Sequence, residues 1–97
     1  MTIEEIRKEL SEKIDKIDPI GKKLKFKLDD DIMLIDGSGE KNLLSDSDED
    51  ANCTITMSKE TYLKLQRKEI KPMIATLTGK IKVKGDLALA QKLKQLT

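Results

Sequence analysis

Gly79-Lys80-Ile81-Lys82-Val83-Lys84-Gly85-Asp86-Leu87-Ala88-Leu89-Ala90 changes its hydrophobic period partway along. Ile81 and Val83 alternate with lysines, the two-residue period of a strand over residues 80–84 with its apolar side chains turned inward. Gly85 breaks that strand and Asp86 supplies an N-cap. Leu89, Leu93 and Leu96 then recur at helical spacing. Upstream, Gly79 closes a short helix that has Pro72 in its first turn and carries Met73, Ile74 and Leu77. A strand joined so tightly to a helix on each side calls for a sheet with helices laid over one face.

Earlier residues extend this pattern. Cys53, Ile55 and Met57 alternate with Thr54 and Thr56, and Ser58 caps a helix bearing Tyr62, Leu63 and Leu65. Leu24, Phe26 and Leu28 alternate with Lys23, Lys25 and Lys27, a half-buried strand whose lysines face solvent. Asp29-Asp30-Asp31 turns the chain into a strand from Ile32 to Ile35, and Asp36-Gly37-Ser38-Gly39 is turn chemistry again. A weak strand is expected at 41–45. At the start, Thr2 and Glu5 form a capping box, and Ile3, Ile6, Leu10, Ile14 and Ile17 make one stripe of a helix over 2–18, stopped by Asp18-Pro19. The order is helix, four strands, two helices, strand, helix. This is one α+β domain over residues 1–97.

Composition excludes several classes of function. Histidine is absent, which removes Ser-His and Cys-His catalysis and His-ligated zinc together. Phe26 and Tyr62 are the only aromatics, so the core is aliphatic and exposed platforms for base stacking are missing. With 19 basic and 18 acidic residues, net charge gives no case for nucleic acid. Residues 1–50 nevertheless balance to −6 and residues 51–97 to +7. No apolar run reaches the roughly 20 residues of a membrane span, and the Glu-rich start is unlike a signal peptide. One cysteine suits a reducing compartment, so a cytoplasmic protein is expected.

Motifs that carry chemistry fail on inspection. Asp46, Asp48 and Asp50 open a calcium-loop spacing, but Ala51 and Met57 stand where glycine and a bidentate Glu are needed. Gly37-Ser38-Gly39 and Gly79-Lys80 are fragments of phosphate-binding patterns that turns and a helix end explain. Cys53 has inward parity and no base, so no catalytic residue is nominated. Neither a metal nor a cofactor is expected. Leu87 and Gln91 lie off the core stripe of their helix, and Met73, Ile74 and Leu77 spread over more than one face. Such helices are either deeply buried or carry a second apolar surface.

Ala51-Asn52-Cys53-Thr54-Ile55-Thr56-Met57-Ser58-Lys59-Glu60 resembles the "A-D-x-T-hydrophobic-T-hydrophobic-S-x-E" segment of the sterol carrier protein type 2 family. Pro72, Ala75 and the stretch from Gly79 to Ala90 are similar to that family's "P-x-x-A-x-x-x-G-K-hydrophobic-K-hydrophobic-x-G-[ND]-x-x-x-A" signature. Leu34 followed by Asp36-Gly37-Ser38-Gly39 matches its second strand and turn. The likeness covers essentially the whole chain. It departs at Thr76, where an aromatic is common, at Gln91, where Met is common, and at Lys68, where the family has glycine. The chain ends Gln95-Leu96-Thr97, without the peroxisomal tripeptide of many relatives, which fits the cytoplasmic expectation.

The resemblance implies a five-stranded sheet with helices packed on one face, enclosing an apolar tunnel for sterols, fatty acids, fatty acyl-CoA or phospholipids, and no enzymatic chemistry. With parity and position, it nominates Ile55, Met57, Leu65, Ile70, Ile74, Leu77, Leu87 and Gln91 as the lipid-binding wall. Lys64, Arg67, Lys68 and Lys71 are nominated to dock on an anionic membrane, and a monomer is expected. The alternative is a protein-interaction or regulatory module with the same fold and a collapsed tunnel.

Overall fold

The computed structural model describes residues 2–97. The chain runs α1 (Ile3–Ile14), β1 (Lys23–Leu28), β2 (Asp31–Asp36), β3 (Leu43–Ser45), β4 (Cys53–Met57), α2 (Lys59–Gln66), α3 (Pro72–Leu77), β5 (Lys82–Gly85), α4 (Leu87–Ala90) and α5 (Leu93–Leu96). The strands form one mixed sheet in the order β3-β2-β1-β4-β5. β1 and β4 are parallel at its centre, with Leu24 opposite Cys53 and Phe26 opposite Ile55, and the other pairings are antiparallel.

Strand alternation divides the sheet into two faces. Leu24, Phe26, Leu28, Met33, Ile35, Cys53, Ile55 and Met57 join Ile6, Leu10, Ile14, Tyr62, Leu65, Leu89, Leu93 and Leu96 in one aliphatic core under the helices. Its two rings, Phe26 and Tyr62, meet edge to face at 6.4 Å. Cys53 is buried in this core, and burial pushes its thiol pKa up, so it behaves as a small apolar side chain. Lys13 donates to the Gln66 amide oxygen and to the Leu96 carbonyl at 3.2 Å, tying α1, α2 and α5 together.

The opposite face carries lysines and threonines, and the solvent-facing expectation for the β1 lysines needs correction. Lys25 is only 7% exposed. The acidic loop after β3 folds back across this face. Asp48 accepts from Lys25 at 2.8 Å, Glu49 pairs with Lys23, and Asp46 lies 3.8 Å from Arg7. Of the aspartates that mimic a calcium loop, Asp48 therefore serves as a counter-ion to the sheet and Asp46 lies near Arg7 of α1.

Several element boundaries differ from the sequence reading, β2 running Asp31–Asp36 and β3 only Leu43–Ser45, and three of the differences have a specific hydrogen-bonding reason. α1 ends at Ile14 rather than 18, because Asn42 Nδ2 captures the Ile14 carbonyl at 3.1 Å and the Asp18 carbonyl at 3.1 Å. β5 starts at Lys82 because the Lys80 and Ile81 amides donate to the Ala75 carbonyl, at 2.9 and 3.2 Å, holding them to the end of α3. The last helix is two short pieces, joined by tight i→i−3 bonds from Gln91, Lys92, Lys94 and Gln95. That tightening leaves Leu89, Leu93 and Leu96 all buried.

Candidate functional site

α3 is built in the reverse sense of an ordinary surface helix. Pro72 occupies its first turn, where a missing amide hydrogen costs nothing, and Gly79, at φ +78°, lets the chain leave just beyond it. Helical spacing spreads Met73, Ile74 and Leu77 over a broad arc of α3 and leaves Ala75 outside it. Ala75, the small residue, is the buried one. Met73 is 63% exposed, Ile74 48% and Leu77 77%, and Leu87 at the start of α4 is 68% exposed. Surface helices normally turn their large apolar residues to the core.

These side chains rim two neighbouring cavities. The first, of about 370 Å³, lies over the sheet end: Ile55, Ile81 and Val83 form its floor, α3 one wall, and Leu87, Ala90, Gln91 and Leu93 the other. The second, of about 590 Å³, lies on the far side of α3, between Leu65 and Ile70 on one flank and Ile74, Lys94 and Thr97 on the other. Pro72, Met73 and Lys94 border both. Each volume falls in the range of small-molecule sites, about 300–1,000 Å³.

The linings are apolar, with a few polar groups at their edges. Among the described residues, no acidic side chain and no Ser or Cys borders either cavity. Thr76 spends its hydroxyl proton on the Pro72 carbonyl, at 2.8 Å. Gln91 is exposed, so its amide reaches water at the mouth of the first cavity rather than needing a buried partner. Lys68, Lys71 and Lys94 edge the second cavity with positive charge. Such a surface can shelter an aliphatic chain and meet an anionic head group, and it offers no nucleophile with an adjacent base.

Of the nominated wall, Ile55, Leu77, Leu87 and Gln91 come together at the first cavity, and Leu65, Ile70 and Ile74 at the second. Met57 packs in the core and borders neither. The nominated cations separate. Lys68 and Lys71 edge the second cavity, whereas Arg67 lies in a groove between α1 and α2 beside Glu5 and Glu9. Lys64 is held by Glu60 at 3.3 Å. Sequence reasoning missed Val83 and Ile81 as lining residues, although both share inward parity with Ile55. It also missed Lys94, whose role depends on how α5 follows α4.

The chain belongs to the SCP-2 sterol transfer family, whose model matches residues 3–97. Sterol carrier protein 2 of Rattus norvegicus is 41% identical over 59 residues, 61% of this chain and 11% of that protein. The chain thus spans about a tenth of the length of the curated relatives it matches. Among solved structures, sterol carrier protein 2 of Aedes aegypti in complex with the C16 fatty acid palmitate superposes with a TM-score of 0.74 at 21% identity, covering 93% of this chain and 88% of that one. A stereoselective inverting sec-alkylsulfatase from Pseudomonas sp. contains the same fold, with a TM-score of 0.76 at 16% identity over 99% of this chain and 16% of the enzyme. The fold is that of a lipid carrier, and it also occurs within larger enzymes.

Proposed function

We propose that this domain binds single lipids between its sheet and helices and passes them between membranes, without catalysing a reaction. The observation that carries the reading is the pair of apolar cavities separated by α3, whose large side chains face outward. An aliphatic ligand laid along them gains roughly 0.8 kcal/mol for each methylene removed from water, before ordering costs. Met73, Leu77 and Leu87 are unbranched or singly branched chains that adapt to varied ligand shapes. Membership in a sterol transfer family and the palmitate complex of the Aedes aegypti relative support lipid as the cargo.

The ligand is a sterol, fatty acid, fatty acyl-CoA or phospholipid, held by Ile55, Leu65, Ile70, Ile74, Leu77, Leu87 and Gln91, with a negatively charged head group meeting Lys68, Lys71 or Lys94. The collapsed-tunnel alternative has less support, because cavities of about 370 and 590 Å³ are open to a ligand. The residues bordering them are mostly apolar, with lysines at the edge, a lining suited to holding a lipid. A buried free thiol suits a reducing compartment, and we assign the domain to the cytoplasm as a monomer.

Native mass spectrometry of freshly purified protein, paired with displacement of a fluorescent fatty acid, tests this reading. Co-purifying lipid and saturable one-to-one displacement are expected. Protein that carries no lipid and displaces none of the ligand classes above removes the proposal.

A further inference from the structure

The outward apolar face of α3 lies in an unusually cationic neighbourhood. Lys68 and Lys71 precede the helix, Lys80 follows it, and Lys94 borders both cavities beside it. No acidic residue occurs from 70 to 85. Among the described residues, Lys71, Lys80 and Lys94 make no ion pair, while Lys68 Nζ donates only to the Thr97 carbonyl, at 2.8 Å. Two of the three β1 lysines are in the opposite state: Lys23 and Lys25 are neutralised by the acidic loop. Lys82 and Lys84 on β5 and Lys92 are unpaired as well, but Lys71, Lys80 and Lys94 are the unpaired cations next to the exposed apolar side chains of α3.

We infer that the α3 tip, with Met73, Leu77 and Leu87 as inserting side chains and Lys71, Lys80 and Lys94 as the surrounding cations, is the surface on which this domain docks onto an anionic lipid bilayer. Three observations favour a bilayer. The unpaired charge is of one sign, since Asp86 beside Leu87 is paired with Lys22 and Glu69 with Arg67, and it matches the negative surface potential of anionic membranes. Met73 and Leu77 project from the six-residue α3 and Leu87 from the start of α4, all largely exposed, as the apolar side chains of an interfacial anchor are. Both cavity mouths open beside them, so docking here sets the cavities against the lipid they would load. α1 does not fit the role. Its apolar residues Ile6, Leu10 and Ile14 are buried, and Glu4, Glu5, Glu9 and Glu12 lie on its other sides.

This placement rests on the lipid-carrier reading but moves the docking cations. Of the four nominated from sequence, Lys68 and Lys71 belong to the surface. Lys64 and Arg67 do not, since each has an acidic neighbour and Arg67 faces the groove against α1.

The chain has no tryptophan, so Leu77→Trp places a single emitting indole on the proposed anchor, at a position exposed enough to accept it. Vesicles of phosphatidylcholine alone and of phosphatidylcholine with phosphatidylglycerol are titrated into this variant. Expected are a blue shift with the anionic vesicles only, quenching by lipids brominated on the acyl chain, and reversal by salt. Lys80 borders neither cavity, so Lys80→Glu should lower affinity for the anionic vesicles by roughly tenfold while leaving solution binding of a fluorescent fatty acid unchanged. Co-sedimentation of the Leu77→Trp variant with vesicles, without any change in its emission, would put docking elsewhere and overturn the inference. So would a blue shift that needs no vesicles and grows with protein concentration, which marks a second copy as the occupant. Absent fatty-acid binding beside intact vesicle docking would instead defeat the carrier reading and leave the docking surface standing.

Discussion

Lys25 and Asp48 meet at 2.8 Å on the outer face of the sheet, the lysine covered and the aspartate largely in solvent. The lysine ammonium gives up more hydration than its partner, so removing one side chain is not equivalent to removing the other. Asp48→Asn leaves a covered cation facing a neutral amide and should destabilise the domain more than Lys25→Met, which leaves only a solvated carboxylate. Chemical denaturation of the two variants checks the ordering. The hydrogen bond and charge of Lys25 hold the Asp48 carboxyl below its ordinary value of 3.8. Its contribution is present above that value and is lost as pH falls through the lower folded-state value. The acid limb of the stability–pH curve should therefore flatten in Asp48→Asn.

Gly37 and Asn42 predict a second effect. A Cβ at Gly37 would stand 2.5 Å from both Asn42 Oδ1 and Ile20 Cγ1, so Gly37→Ala must push apart the loop that ends α1. Asn42 itself bonds the Ile20 amide at 2.9 Å as well as the Ile14 and Asp18 carbonyls. Asn42→Leu strands those groups and should cost about 1–3 kcal/mol or more. A double-mutant cycle of the two in urea should be clearly non-additive, since they share one contact.

Core and cavity positions should separate cleanly under substitution. Leu10→Ala removes a fully buried side chain and should cost about 2–5 kcal/mol, whereas Leu77→Ala should stay within about 0.5 kcal/mol. Ile74→Trp fills the mouth of the larger cavity from a half-exposed position, so the melting temperature should hold while fluorescent fatty-acid affinity falls severalfold. Equal affinity in Ile74→Trp and the unmodified protein would mean that the ligand does not enter beside Leu65 and Ile70.

Tyr62 gives a pH prediction with a single reporter, because it is the only tyrosine in the chain. Burial pushes its hydroxyl pKa up to about 12, and among the described residues the buried oxygen has no hydrogen-bond partner. The unfolded chain ionises near 10, so the stability tied to the neutral phenol is full below that pH and drains away as pH rises towards the folded value. Ultraviolet titration should show phenolate appearing late, and unfolding in alkali should begin before the folded protein itself ionises.

The architecture was readable in the sequence because its signals are local. Gly85-Asp86, Ser58 and the Thr2–Glu5 box are caps and breaks whose chemistry acts within three residues, and the strand alternations fix which side chains face inward. The misread boundaries depended on distant partners: Asn42 for the end of α1, the Ala75 carbonyl for the start of β5. Burial of Lys25 was equally hidden, since a lysine of outward parity looks solvated until Asp48 arrives from a loop 23 residues on. At the site, helical faces could be assigned residue by residue. The gap between α3 and its neighbours, and the place of Lys94 in it, required the three-dimensional path of the chain.

Every described residue bordering the two cavities lies between Ile55 and Thr97, although β1 and β2, from the first half, stand at the centre of the sheet and α1 covers its core. The molecule is therefore partitioned along its own sequence into a frame and an insert. Substitutions in the frame are felt as changes in stability. Within the insert, Tyr62, Leu65, Leu89 and Leu93 also fill the core, whereas Met73, Leu77 and Leu87 are exposed. A library confined to those exposed positions could redirect cargo without touching the core, and a stabilised frame would widen the range of inserts that still fold. At such positions two properties that usually trade against each other can be varied one at a time.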